Sequence, residues 1–230
     1  MLVYNYHPQT GEYAGAEIAC ESPLEPGVYL LPAHSTTDEP PAAGHGYVAV
    51  YRDGAWSLVE DHRGEVRYDT ATRERHKINE LGPVPAEWTA APPEDGEAVW
   101  DGTKWFVPFD VLKARKKREI TAARNAAIAA GTTWRSHAVD ADEDAQRAVS
   151  AQIVKSMAYQ QMGRPVPDTP WRLRDGSYVT LTDADVWDLS QAIEAHVSGC
   201  YAREAALAAR IEAASGAEQL DAVNWNSQGE

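Results

Sequence analysis

Cysteine is nearly absent from the 230-residue chain: Cys20 and Cys200 stand far apart, with no Cys-x-x-Cys pair and no histidine-rich stretch beside either. That spacing speaks against a thiolate metal site, and an isolated cysteine in a reducing compartment ordinarily serves as a small apolar core residue; whether the two pair is left open. No run approaches the roughly 18 uninterrupted apolar residues of a membrane-spanning helix. No basic start is followed by an apolar stretch, so the chain reads as soluble, without a secretory signal. The Gly-x-Gly-x-x-Gly, phosphate-loop, Gly-x-Ser-x-Gly and His-Glu-x-x-His patterns are missing too. Seven histidines fall at positions 7, 34, 45, 62, 76, 137 and 196, and none has a partner four residues on to present two imidazoles on one helix face. The expectation is a binding protein rather than an enzyme, with no cofactor and no metal.

Cations are scarce in the first half. Residues 1–110 carry 7 Lys or Arg against 19 Asp or Glu, whereas residues 111–230 carry 14 against 16, so most of the formal charge of −14 belongs to the first half. Phosphate backbones reward clustered cations, which excludes nucleic acid and anionic membrane as partners of that half. Solubility is the ordinary use of such acidity. With 43% hydrophobic residues, eight Trp and ten Tyr, the chain has enough apolar surface to fold, and its change of composition favours two small cores over one.

That change defines an α+β protein. Residues 1–82 form a β-rich domain of short apolar runs such as Tyr47–Tyr51, broken by Gly and Pro, and Arg52-Asp53-Gly54-Ala55 predicts a tight hairpin to Trp56–Val59. Residues 83–109 read as a proline-rich connector followed by a second Asp-Gly hairpin, in which Asp101-Gly102 repeats the turn chemistry of the first. From 110 to 230 a mainly helical domain is expected. Val111–Ala130 is one helix closed by Gly131. A second spans about 141 to 162, with Ala145, Val149, Ile153 and Met157 on its buried face. A third Asp-Gly hairpin, Trp171–Val179, reads as the shortest. A long helix follows, with a capping box at Thr182 and Asp185, a stripe of Val186, Leu189, Ile193, Val197, Cys200, Leu207 and Ile211, and Gly199 marking close packing or a kink. The tail adds one turn around Leu220 and Val223.

Few clusters invite a chemical reading. Asp142, Glu143 and Asp144 resemble general acids but sit where a helix start favours carboxylates. Asp61-His62 lacks a serine or cysteine in a nucleophile's setting. Lys113, Arg115, Lys116, Lys117 and Arg118 form a basic run, read as a solvated helical face or one docked on the acidic half. Trp56, Trp100, Trp105 and Trp171 flank Asp-Gly turns, where they either pair across strands or offer faces to a sugar or a protein.

Tyr4-Asn5-Tyr6-His7-Pro8-Gln9-Thr10-Gly11-Glu12-Tyr13 opens an ordered set of motifs. Ser22–Ala33, Thr36-Thr37 before Pro40-Pro41, Val48-Ala49-Val50, Gly54-Ala55-Trp56 and Asp61-His62-Arg63-Gly64 complete it. In that order they resemble the tail-fibre assembly proteins of bacteriophages and prophages over roughly the first 80 residues. Lys113–Ile120 and Trp171–Thr182 resemble a helical phage-associated domain of unknown function, over residues 111–222. The resemblance implies a chaperone, working without ATP, that assists folding and trimerisation of the tail fibre by binding its C-terminal tip in the host cytoplasm. It also implies that some members stay on the mature fibre, and the Trp-flanked hairpins leave a second role open, as a tip component that stays on the virion and touches cell-surface glycan. Candidate fibre-binding residues are Tyr47, Tyr51, Trp56, Asp61, His62 and Arg63; candidate glycan-contact aromatics are Trp56, Trp100 and Trp105. Homo-oligomerisation through the long helix is a further expectation.

Overall fold

The structure, a computed structural model, describes residues 1–226. The chain divides into two compact units, the first from Met1 to Val107 and the second beginning at Pro108. The first is strand and turn and the second mainly helical, the α+β arrangement that the composition change predicts.

The strands of the first unit are β1 (Leu2–Tyr6), β2 (Tyr13–Ile18), β3 (Cys20–Glu21), β4 (Tyr29–Leu30), β5 (Ser35–Thr36), β6 (Tyr47–Arg52), β7 (Ala55–Glu60), β8 (Val66–Asp69), β9 (Arg75–Lys77), β10 (Trp88–Thr89), β11 (Val99–Trp100) and β12 (Trp105–Phe106). They build one small framework twice. In the first copy β5 joins the β1–β2 hairpin in the order β2-β1-β5, and the β6–β7 hairpin follows. In the second, β10 joins the β8–β9 hairpin in the order β10-β8-β9, and β11–β12 follows. Residues 83–107 therefore lie inside the first unit.

The correspondence reaches single hydrogen bonds. His7 Nδ1 accepts from the N–H groups of Gln9 and Thr10, and its carbonyl accepts from Gly11. Asp69 Oδ1 likewise accepts from Ala71 and Thr72, and its carbonyl accepts from Arg73. Gly11 and Arg73 both adopt positive φ, +76° and +66°. Pro32-Ala33-His34-Ser35-Thr36 answers Pro85-Ala86-Glu87-Trp88-Thr89, each followed closely by Pro-Pro. Thr36 Oγ1 accepts from the Asp38 N–H as Thr89 Oγ1 does from Ala91. Trp56 Nε1 donates to the Asp38 carbonyl and Trp105 Nε1 to that of Ala91, both at 2.8 Å. Matched by the third strand, Tyr4 answers Tyr68; matched by the turn, Tyr6 does, a two-residue difference that keeps side chains on their face. The copies diverge between hairpin and third strand. Residues 19–34 carry β3 and β4, paired with each other, whereas residues 78–87 carry no strand.

The three Asp-Gly pairs make three different turns. Asp53 and Gly54 both have positive φ, +52° and +83°, and close a two-residue loop between Arg52 and Ala55. Asp101 instead turns its carboxylate onto the N–H groups of Thr103 and Lys104, so the loop between Trp100 and Trp105 holds four residues. The expected repetition of turn chemistry fails because that side chain bridges the longer loop. The Asp175-Gly176 hairpin is not the shortest, since its strands have four residues each against two each in β11–β12.

The second unit comprises α1 (Phe109–Ala129), β13 (Thr132–Trp134), β14 (His137–Val139), α2 (Glu143–Gln161), β15 (Thr169–Arg172), β16 (Tyr178–Leu181), α3 (Asp183–Ala213) and α4 (Ala217–Asp221). Asp142 caps α2 through the Ala145 N–H, and Thr182 with Asp185 forms the capping box of α3. The α3 stripe serves two cores. Val186, Leu189 and Ile193 pack with Trp134, Val139, Val149, Leu173 and Leu181, while Leu207 and Ile211 pack with Ile120, Leu220 and Val223.

Several expectations are corrected. Met157 is half exposed, and Ser156 takes the buried position instead, donating to Asp183 at the start of α3. Gly199 has open space where a Cβ would stand, and α3 continues through it, so no close packing requires it. The basic face of α1 finds partners within its own unit. Lys113 donates to the Glu212 carbonyl and Lys117 pairs with the Glu212 carboxylate, at the C-terminal end of α3 where partial negative charge draws cations. The β13–β14 hairpin escapes sequence reading because Arg135 and Ser136 turn it at positive φ without glycine. Both cysteines are free; Cys200 is buried, but Cys20 lies exposed on β3 and has no core role.

Candidate functional site

The β6–β7 hairpin runs into the Asp61–Gly64 turn, and the β1–β2 turn lies against it. Tyr51 donates its N–H to the Gly11 carbonyl, and Glu12 forms a bridge with Val50. The approach leaves no room for a side chain at position 11, where a Cβ would meet the Tyr51 carbonyl oxygen at 2.5 Å. This contact carries Glu12 to Arg63. Arg63 holds Glu12 with two hydrogen bonds, Nη1 to Oε1 at 3.2 Å and Nη2 to Oε2 at 2.8 Å. Its Nε and Nη2 also donate to the two oxygens of Asp61, each at 2.8 Å. The planar fork of one guanidinium thereby ties a turn to a strand hairpin 51 residues away in sequence.

The electrostatics follow. Hydrogen bonds from the Arg63 side chain and backbone draw the Asp61 carboxyl down to about 2, and the same guanidinium lowers Glu12. Arg63 in turn is held more firmly protonated by Asp61 and Glu12. His62 lies between Glu60 and Glu65, Nε2 at 3.1 Å from one carboxylate and Nδ1 at 3.2 Å from the other. Ionised carboxylates only accept, so both contacts become hydrogen bonds when the ring is protonated; hydrogen bonds to Glu60 and then Glu65 raise the His62 pKa. All three side chains of the Asp61-His62-Arg63 triplet are thus engaged in holding the loop.

Trp56 is half-buried. Its ring meets Tyr51 edge-on at 5.2 Å and Tyr13 at 5.8 Å, and Tyr6 stacks on Tyr51 at 4.8 Å. Tyr51 and Trp56 are also direct cross-strand partners. Tyr47, paired with Glu60, is about half exposed. Trp100 and Trp105 pair with each other at 5.3 Å on their own hairpin, and Trp171 packs against the core of the second unit. The structure therefore brings together Tyr51 with Trp56, and Asp61 with Arg63, and places Trp100 and Trp105 in the second copy. Sequence reading missed Glu12, Tyr6, Tyr13, Glu60 and Glu65. A surplus of acids around a single Asp-His-Arg run was the available signal. Among the described residues no group of three or more His, Cys, Asp or Glu is arranged to hold a metal ion, and no helix is long and apolar enough to cross a membrane.

A β-rich unit that builds one framework twice, followed by a helical unit with cores of its own, defines a two-part α+β protein. Comparison with known proteins shows what each unit is similar to. Residues 1–59 match the model of the tail fiber assembly protein N-terminal domain, and residues 111–224 match a domain of unknown function (DUF4376). The first 59 residues are thus similar to the N-terminal domain of tail fiber assembly proteins. The chain is 38% identical over 125 residues to the prophage tail fiber assembly protein homolog TfaR of Escherichia coli K12, covering 54% of this chain and 63% of the relative. It is 38% identical over 119 residues to the tail fiber assembly protein of Escherichia phage lambda, covering 51% and 59%. To the homolog TfaE of Escherichia coli K12 it is 33% identical over 144 residues, covering 61% and 64%. The chain thus spans less than two thirds of the length of these curated relatives. No solved structure matches it significantly.

Proposed function

We propose that this protein is a tail-fibre assembly chaperone whose first unit binds the C-terminal tip of the cognate trimeric tail fibre and assists its folding and trimerisation in the host cytoplasm, without ATP or catalysis. The observation that carries this reading is the tail fiber assembly N-terminal domain over residues 1–59. The physics is congenial to it. A trimeric β tip closes slowly through non-local pairing and exposes strand edges meanwhile, and a partner that binds the near-assembled tip better than the open chain favours it by mass action. Tyr47 on the exposed side of β6, and the loop stiffened by Asp61, His62 and Arg63, form part of the contact. The charged groups of that loop are already partnered, so they act by holding shape rather than by donating new bonds.

The test is co-expression of the full chain with the C-terminal fragment of the tail fibre from the same phage or prophage. The expected result is a soluble trimeric fragment in the presence of this chain. An equal yield of trimer without it contradicts the proposal.

A second role is favoured by one feature, an open groove of about 480 Å³ in the second copy lined by Pro92, Glu94, Lys104, Trp105 and Phe106 among others. An aromatic floor with polar rims suits a sugar ring. If the protein stays on the virion and contacts glycan, the groove is where it does so. Phe106→Ser, at a residue about half exposed, then abolishes binding to host-surface glycan while Trp56→Phe leaves it intact.

A further inference from the structure

We propose that the β3–β4 arm of the first copy is a docking surface for a segment of the tail fibre in which apolar side chains are flanked by lysine or arginine. The proposal deepens the chaperone reading and rests on it.

The two copies show what the framework needs. The second connects its hairpin to its third strand through residues 78–87, and the first does so through residues 19–34 with two extra strands. Those strands add little to the interior: Ala19 is buried, but Leu24 is 89% exposed, Leu30 54% and Leu31 53%, and Ile18 just before the arm is 77% exposed. Val28 and Tyr29 are exposed beside them. Leaving so many large apolar groups in water gains nothing for the fold, and contiguous exposed apolar surface marks interaction sites.

The arm is also held in shape. Cys20 pairs with Leu30 and Glu21 with Tyr29, Ser22 donates its N–H to the Val28 carbonyl, and Glu21 accepts from the N–H of Gly27. Among the described residues β4 has β3 as its sole strand partner, so one edge is open to a further strand. Presenting apolar groups on a preformed ribbon lowers the ordering cost of binding.

Charge selects the occupant. Residues 1–51 contain no Lys or Arg, against Glu12, Glu17, Glu21, Glu25, Asp38 and Glu39. An apolar strip bordered by Glu17, Glu21 and Glu25 complements an apolar segment bordered by cations. A second copy of this chain is the wrong partner, because a two-fold interface sets each patch on itself and would place acid against acid. The chain's own basic run is committed elsewhere, with Lys113 and Lys117 on Glu212 and Lys116 on Glu119. The acidic border also disfavours nucleic acid and anionic lipid.

The experiment measures the affinity of the full chain for the C-terminal fragment of its tail fibre by biolayer interferometry. It compares the natural chain, the triple variant Ile18→Thr, Leu24→Ser, Leu30→Thr, and Glu25→Lys. Because the altered side chains are exposed, the triple variant is expected to keep its circular dichroism and thermal midpoint while losing about ten-fold or more in affinity. Glu25→Lys is expected to weaken binding several-fold at low salt, the loss shrinking as salt rises. Should the triple variant misfold, Leu24→Ser alone decides the matter with a measurable loss. Binding of the natural chain with no loss in the variants overturns the docking surface and leaves the chaperone reading standing. A natural chain that does not bind the fibre overturns the chaperone reading itself, and the docking surface with it. A self-associating natural chain split into monomers by the triple variant assigns the arm to a second copy and also overturns the proposal.

Discussion

The first unit and the second are stabilised in different ways. In the second, Leu189, Ile193, Ile211, Leu181 and Ile120 are essentially without solvent exposure and form two aliphatic cores along α3. In the first, the buried apolar residues are few and small, Val3, Ala19, Ala49, Val50 and Ala98. There the work falls to aromatic rings that pack edge-on, to turns closed by side chains such as His7 and Asp69, and to the Arg63 ion pairs. An aliphatic core tolerates changes of pH and salt, whereas a small β unit held by turns and charge is specific in shape and thin in reserve.

Breaking each unit in its own currency sharpens that comparison. The largest effect is expected from Leu189→Ala, which leaves a cavity in a core shared by α2, α3 and β13; the second unit should lose about 2–5 kcal/mol in denaturant unfolding. Gly11→Ala should cost the first unit about 2 kcal/mol or more, since it combines a positive φ with a backbone clash. Gly199→Ala, in open space within α3, should instead stabilise the second unit by about 0.5–1 kcal/mol. Trp56→Phe keeps most of the ring contacts but removes the bond to the Asp38 carbonyl, so a loss of about 1 kcal/mol in the first unit is expected.

The pH response is smaller, and in the first unit it runs through His62 and Asp61. The folded-state pKa of His62 is raised, so its contribution is fully present below its ordinary value of 6.5 and fades as pH rises through the higher folded value. Asp61 behaves oppositely. Its pKa is lowered from 3.8 to about 2, so its contribution holds above 3.8 and disappears as pH falls toward 2. A two-dimensional NMR titration of the His62 ring should give a midpoint above 6.5, moving down in Glu60→Gln. A midpoint unchanged by that substitution would contradict the cradle.

Much of the second unit was legible in the sequence because helices write their packing locally: the α3 stripe, the Thr182–Asp185 box and Gly131 after α1 all show as spacing. Ser156 in place of Met157 was not, since its burial depends on Asp183 arriving from another helix. In the first unit the Asp53-Gly54 turn was legible, and the two copies were not. Their likeness rests on equivalent bonds made by unlike residues, an imidazole at His7 and a carboxylate at Asp69, a glycine at 11 and an arginine at 73. The Asp61–Gly64 turn could be read as rigid and polar, but its anchor at Glu12 lies in a different hairpin. Cross-strand pairing was one of the two readings of Trp56 and holds with Tyr51, but its further ring partners Tyr6 and Tyr13 come from β1 and β2, too distant in sequence to be read.

The family match over residues 1–59 ends within β7, and the match of the second unit begins at residue 111. Most of the second copy therefore lies between the two, keeping the framework without the arm. Hydrogen–deuterium exchange of the full chain, with and without the C-terminal fragment of its tail fibre, tests the central claim most directly. Protection concentrated in residues 1–64, strongest in residues 17–33 and around Tyr47, is the result expected. Protection confined to residues beyond Pro108 would contradict it.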